Sequence, residues 1–164
     1  MATIQEMIEN GELTKINPGL GDEELEWRCI YGTDDFIEWL ENDLPNLVHN
    51  TTYADLSPFE QVATIFSEYI VGENFSDDRR FKKLRKTPSP HIWELKTDDV
   101  RIFGWVPHKD QFICVYDDEA TKIKALNTYG WYMQKTKNVM DSSNLDDPKC
   151  ITGEKYNDVI SAKN

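Results

Sequence analysis

Residues 91–116, HIWELKTDDVRIFGWVPHKDQFICVY, constrain the fold more than any other stretch of this chain. Apolar and polar side chains alternate through three short runs. In the first, Trp93 and Leu95 fall on one side and Ile92, Glu94 and Lys96 on the other. In the second, Val100, Ile102, Gly104 and Val106 alternate with Arg101, Phe103 and Trp105; the third covers residues 112–116. Period-two patterning rich in β-branched and aromatic residues predicts strands. Asp98-Asp99 and Pro107-His108-Lys109-Asp110 supply turn chemistry, short polar side chains that accept tight bends and a proline that fixes φ. The expected unit is an antiparallel three-strand meander at the centre of the fold. A sheet that small needs a layer packed on one face.

That layer is legible upstream. Ser57-Pro58-Phe59-Glu60 gives an N-cap hydroxyl, a proline at the first helical position and a glutamate at the capping-box position. Phe59, Val62, Ala63, Phe66, Tyr69 and Ile70 follow as the expected buried stripe, and Gly72 suits the C-terminal cap. Residues 34–44 predict an earlier helix with Phe36, Ile37, Trp39, Leu40 and Leu44 on its apolar face. Thr33 stands as its N-cap, Asp34 and Asp35 suit its dipole, and Pro45 closes it. Residues 26–31 read as a first strand, and residues 3–10 as a short helix stopped by Gly11. The fold class is therefore α+β: a small antiparallel sheet covered by an N-terminal helical hairpin.

The connections are read as follows. Residues 46–56 form a loop, and residues 74–90 a polar, basic segment that Pro88 and Pro90 end. Residues 120–127 fit either helix or loop, and residues 129–137 mix aromatics with lysines. From residue 141 the polar composition predicts a weakly ordered tail. The expected organisation is an acidic extension over 1–25, one α+β domain over 26–140, and the tail over 141–164.

Charge divides the chain. The net charge is −12, which argues against simple non-specific attraction to nucleic acid. Residues 1–60 hold fourteen acids against two bases, Lys15 and Arg28, while residues 61–164 hold sixteen of each. Within the second part, residues 77–101 carry eight bases against five acids. Three cysteines, Cys29, Cys114 and Cys150, form no CxxC pair, so neither a disulfide framework nor a zinc site is expected. No apolar run reaches membrane-spanning length and no signal pattern opens the chain, so a cytoplasmic location away from membranes is expected.

The order strand, helix, helix, basic segment, meander, aromatic/lysine segment resembles the RelE-like family of bacterial toxins, in its phage-type and HigB-like branch. The resemblance spans roughly residues 26–137, and FKKLRKTPSPHIWELKTDDVRIFGWV is its most specific part. There Leu84 follows lysines, residues 91–96 stand for a strand reading like lWELR, and residues 100–103 for one reading like yRIfy. Residues 131–137, WYMQKTK, look like the family's basic terminal segment. The resemblance implies a microbial-type ribonuclease fold and cleavage of messenger RNA, often on the ribosome. It implies no metal or other cofactor, and an antitoxin as a possible partner. The ribose 2′-hydroxyl attacks the adjacent phosphate, cationic side chains stabilise the added charge, and a lysine or histidine of lowered pKa acts as base.

Carried onto this sequence, the catalytic set is Lys96, Arg101, Lys135 and Tyr132, with Lys83, Arg85, Lys86 and Lys137 along the RNA backbone. The chain departs from the family at two points. Lys96 stands where the family often has arginine, losing the planar fork that suits phosphate. Its acidity also contrasts with the basic character of ribosome-directed toxins.

Plainer readings stand beside these. The basic run is also a solvated face, and Arg101 either holds a phosphate or pairs with Glu94 across the hairpin. His49, His91 and His108 are scattered; His91, beside the meander, is the best base among them. Tyr129, Trp131 and Tyr132 serve either as packing or as a base-stacking platform. The acidic front suggests a second function class: a catalytically inactive, phage-encoded inhibitor that binds a basic host nucleic-acid-binding or defence protein through a nucleic-acid-like face.

Overall fold

The computed structural model of the chain describes residues 1–17, 19, 24–48, 56–84, 91–153 and 155–163. The three alternating runs form strands β4 (Ile92–Lys96), β5 (Val100–Trp105) and β6 (Gln111–Glu119). They are antiparallel neighbours, with Lys96 opposite Arg101 and Trp105 opposite Ile113. They make up only half of the sheet. With β1 (Leu13–Lys15), β2 (Cys29–Thr33) and β3 (Phe81–Lys83), the sheet has six strands in the order β1-β2-β6-β5-β4-β3.

The expected small antiparallel sheet is thus corrected twice, in size and in direction, because β2 runs parallel to β6. The predicted first strand also starts later, at Cys29 rather than residue 26. A bulge interrupts β5 between Phe103 and Gly104. A Cβ at Gly104 would stand 1.9 Å from the Ile113 carbonyl oxygen, so only glycine fits this close approach of two strands.

Helices cover both faces. On one side lies the expected hairpin: α2 (Asp34–Glu38) runs on through a π-helical turn, Trp39–Asp43, and a 3₁₀ turn, Leu44–Asn46, and α3 (Pro58–Val71) follows. The capping box forms, with Glu60 N donating to Ser57 Oγ at 3.2 Å and Ser57 N to Glu60 Oε1 at 3.3 Å. Gly72 ends α3 in the left-handed conformation at φ 93°. Phe36, Leu44, Val62, Phe66 and Tyr69 pack with Trp93, Leu95, Ile102 and Phe112 of the sheet. Two members of the expected stripe, Phe59 and Ala63, stay exposed, and Ile65 and Val71 are buried instead.

The second layer was not expected. It consists of α1 (Ile4–Glu9), which is the short helix expected over residues 3–10, α4 (Ala120–Leu126), where helix or loop stood open, and α5 (Tyr129–Ser142). Met7, Ile123, Met133 and Met140 share a cluster with Ile92, Phe103, Trp105 and Ile113 on the opposite sheet face. The aromatic/lysine segment is therefore a helix with Met133, Thr136 and Met140 buried. The sheet lies inside a sandwich rather than under one lid.

The ends of the chain are part of this packing, so boundaries at 25 and 140 cut through packed elements. Ala2 N donates to Asn144 O at 2.6 Å and Asp146 N to Ala2 O at 2.8 Å. Past α6 (Tyr156–Val159), the expected weakly ordered tail inserts Val159 and Ile160 into the hairpin-side core. It also covers Arg28, which donates to Ser161 O and Tyr69 O at 2.8 Å and to Glu73 O at 2.5 Å. A buried guanidinium needs such partners to offset its lost hydration.

Candidate functional site

Alternation along β3 and β4 decides which side chains share the second sheet face. Lys82 stands opposite Glu94, and Lys96 opposite Arg101. Glu94 and Lys96, two residues apart on one strand, have Cα atoms about 7 Å apart. The turn after α4, with Asn127 at φ 51°, leads into Tyr129. Lys82, Leu84, Glu94, Lys96, Asn127, Tyr129 and Met133, with Asp78, line a cleft of about 500 Å³.

Glu94 is the central group. It is 1% exposed, and its Oε2 has no hydrogen-bond partner among the described residues. Burial pushes its carboxyl above the usual range; the charges of Arg101, Lys96 and Lys82 and a hydrogen bond with Tyr129 act the other way. Lys96 moves in the opposite sense. Burial pulls its ammonium down, Glu94 holds it up, and repulsion from Arg101, Lys82 and Lys124 lowers it further. Its Nζ donates to Asp78 O at 3.2 Å. Arg101 is buried and gives its hydrogen bonds to Val100 O at 3.2 Å, to Thr97 O and, through Nε, to Tyr129 Oη at 3.3 Å. It therefore fixes the β4–β5 turn and orients the tyrosine that bonds Glu94.

A raised carboxyl beside a lowered ammonium is an acid–base pair: the carboxylate is a stronger base than one in water, and the ammonium a stronger acid. Lys82 and Arg101 add fixed positive charge nearby. Chemically, such a pair can move a proton on a group bound in the cleft.

Of the sequence-derived residues, the structure brings Lys96 and Arg101 together as register partners. Tyr132 lies elsewhere, stacked on Phe103 at 5.0 Å with its hydroxyl donating to Asp118. Lys135 is exposed over the Trp131 ring at 5.7 Å, and Lys137 pairs with Asp141. Neither lysine lines the cleft, because α5 turns its Met133, Thr136 and Met140 face to the sheet. Lys83 sits on the other sheet face, 7% exposed, since β3 alternates and Lys82 takes the cleft side. Arg85, Lys86 and His49 lie outside the described residues. His91, at φ 57°, precedes β4 and is not among the cleft's lining residues, and His108 is exposed.

Sequence reasoning missed Glu94 as a site residue, placed Lys82 only within the basic run, and offered Tyr129 for packing or base stacking rather than for orienting Glu94. The usable signal was the strand period itself, which puts Glu94 and Lys96 on one face.

Among the described residues, no group of three or more His, Cys, Asp or Glu side chains is placed to hold a metal ion. Cys29, Cys114 and Cys150 are free thiols. Among the described residues, no helix is long and apolar enough to cross a membrane. Comparison with protein-family models, with curated proteins and with solved structures finds no match to this chain.

Proposed function

We propose that this chain is a RelE-like endoribonuclease that cuts messenger RNA by transesterification, using its own side chains rather than a metal. The order of elements supports this reading: a strand, two helices, then four consecutive antiparallel strands, the first of them within the basic segment. The observation that carries it is the buried Glu94 oxygen, without a hydrogen-bond partner among the described residues, in a cleft that also holds Lys96 and Lys82.

In this mechanism the Glu94 carboxylate takes the proton of the ribose 2′-hydroxyl. The 2′-oxygen attacks phosphorus, and the bond from phosphorus to the 5′-oxygen breaks. The Lys96 ammonium gives its proton to the departing 5′-oxygen. The products are a 2′,3′-cyclic phosphate and a 5′-hydroxyl. Lys82 and Lys96 stabilise the charge that builds on the phosphate oxygens. Glu94 replaces the lysine or histidine expected as base, and Arg101 acts as a positioning residue.

Induced expression in a bacterial host tests the reading. The expected result is growth arrest with transcripts cut at defined positions, both relieved by Lys96→Ala. Normal growth with intact transcripts at high expression would overturn it.

A second reading rests on a separate observation. Residues 29–60 contain no lysine or arginine, and Asp34, Asp35, Glu38, Glu41 and Asp43 are all exposed along the first hairpin helix. A non-catalytic inhibitor would present this face to a basic host protein that binds nucleic acid or serves defence. A tagged chain would then retain such a protein at low salt and release it as salt rises. Recovery of no partner at low salt would remove this alternative.

A further inference from the structure

A second recess lies on the far side of Lys96, with a volume of about 730 Å³. It shares only Lys96 with the first cleft. We infer that this recess is a second phosphate site, which takes the phosphate next to the scissile one, so that the shortest ligand filling both sites is a trinucleotide. The inference rests on the ribonuclease reading and deepens it.

Charge is the first argument. Arg79, Lys96, Arg101 and Lys124 line the recess. Of the two carboxylates there, Glu68 is held by Arg80 at 2.8 Å, and Arg79 has Asp77 at 3.9 Å, which leaves Asp98 against Lys96, Arg101 and Lys124. In a chain of net charge −12, such a group of like charges is electrostatically costly unless an anion joins it. At Lys96, burial lowers the ammonium most and Glu94 holds it up, while Arg101, Lys82 and Lys124 each lower it further by repulsion.

Rigidity is the second. The turn between Lys96 and Arg101 is pinned to the hairpin layer. Gln61 Nε2 donates to Asp99 Oδ2 at 2.7 Å, and Asp99 N donates to Gln61 Oε1 at 2.9 Å. Ala120 N donates to Asp99 O at 2.8 Å, which ties α4, and with it Lys124, to the same turn. A site already fixed loses little conformational freedom when it binds.

Connectivity is the third. Lys96 forms the ridge between cleft and recess, so one strand with its backbone over Lys96 would lay consecutive phosphates on the two sides. A free dinucleotide carries one phosphate and fills one side only.

Binding of ligands that cannot be cut tests this apart from catalysis. The full chain is titrated at low salt with 2′-O-methyl oligonucleotides of two and three nucleotides, followed by NMR. The trinucleotide is expected to bind about tenfold tighter, the scale of an added charge-assisted phosphate contact. Its affinity should also fall more steeply with salt, by about one further counterion. The double variant Arg79→Ala/Lys124→Ala, on two exposed side chains, should lose this gain and keep the dinucleotide affinity. Equal binding of the two lengths, or an equal loss for both in the variant, would overturn the inference. If the length dependence holds while long RNA stays uncut, the second site stands and the cleavage reading alone falls.

Discussion

At the scale of single residues, the account turns on two groups moved toward each other. The Glu94 carboxyl is raised by burial above its ordinary 4.5, and the Lys96 ammonium is lowered by burial below its ordinary 10.5. Cleavage should therefore follow a bell in pH, with an acid limb above 4.5 and an alkaline limb below 10.5, read from initial rates on a labelled RNA. Limbs at the ordinary values would separate the chemistry from this pair. Asp117, on β6, is a different case. Burial first, then the charges of Asp118 and Asp43, push its carboxyl up to about 8. The folded chain there keeps a proton that the unfolded chain loses near pH 4, so stability from this position falls as pH rises between about 4 and about 8. Asp117→Asn should remove that decline, and melting temperatures at pH 5 and pH 8 measure it. That Lys96 and Arg101 lie close was legible from the hairpin, but the expected pairing of Arg101 with Glu94 is corrected: Phe103 stands opposite Glu94, and Arg101 opposite Lys96. Glu94 was not legible as a buried base. A lone acid at a polar position of an alternating strand looks solvent-facing until a covering helix is known.

At the scale of elements, what could be read was what local sequence specifies. The start of α3 is written in four residues, Ser57 to Glu60, and forms as written. Strands β4 to β6 carry their own period. By contrast, β3 holds one apolar residue, Phe81, among cations, which gives no alternation to detect. The parallel pairing of β2 with β6 joins residues some eighty positions apart, as in Ile30 with Phe112, and no local signal encodes it. The second layer was hidden because the aromatics of residues 129–132 masked the helical spacing of Met133, Thr136 and Met140. The bulge at Gly104 offers a test of the sheet's centre. Gly104→Ala would force its Cβ against the Ile113 backbone and should cost on the order of 3 kcal/mol, measured by urea unfolding. A loss below about 0.5 kcal/mol would contradict the described register.

At the scale of the molecule, the acidic and basic parts of the chain fold into one sandwich rather than into separate units. The hairpin layer exposes the run Asp34, Asp35, Glu38, Glu41 and Asp43, and Arg79, Lys82, Lys96 and Arg101 gather at the β3–β5 side of the sheet. This separation lets a strongly acidic protein keep a cationic recess beside a cleft whose charges balance. The closing segment holds the sandwich together. Deleting residues 155–164 removes the buried Val159 and Ile160 and uncovers Arg28. At about 1.5–3 kcal/mol for each aliphatic side chain, the loss should reach about 3–6 kcal/mol in urea unfolding. The measurement that tests the central claim most directly is analysis of RNA ends after incubation with the purified chain, with and without ribosomes, in the presence of a chelator. The wild type should leave 2′,3′-cyclic phosphate and 5′-hydroxyl ends, and Glu94→Gln, with its fold intact, should form them about 10²–10⁴-fold more slowly. Uncut RNA with the wild type, or the same rate in the variant, would contradict the account.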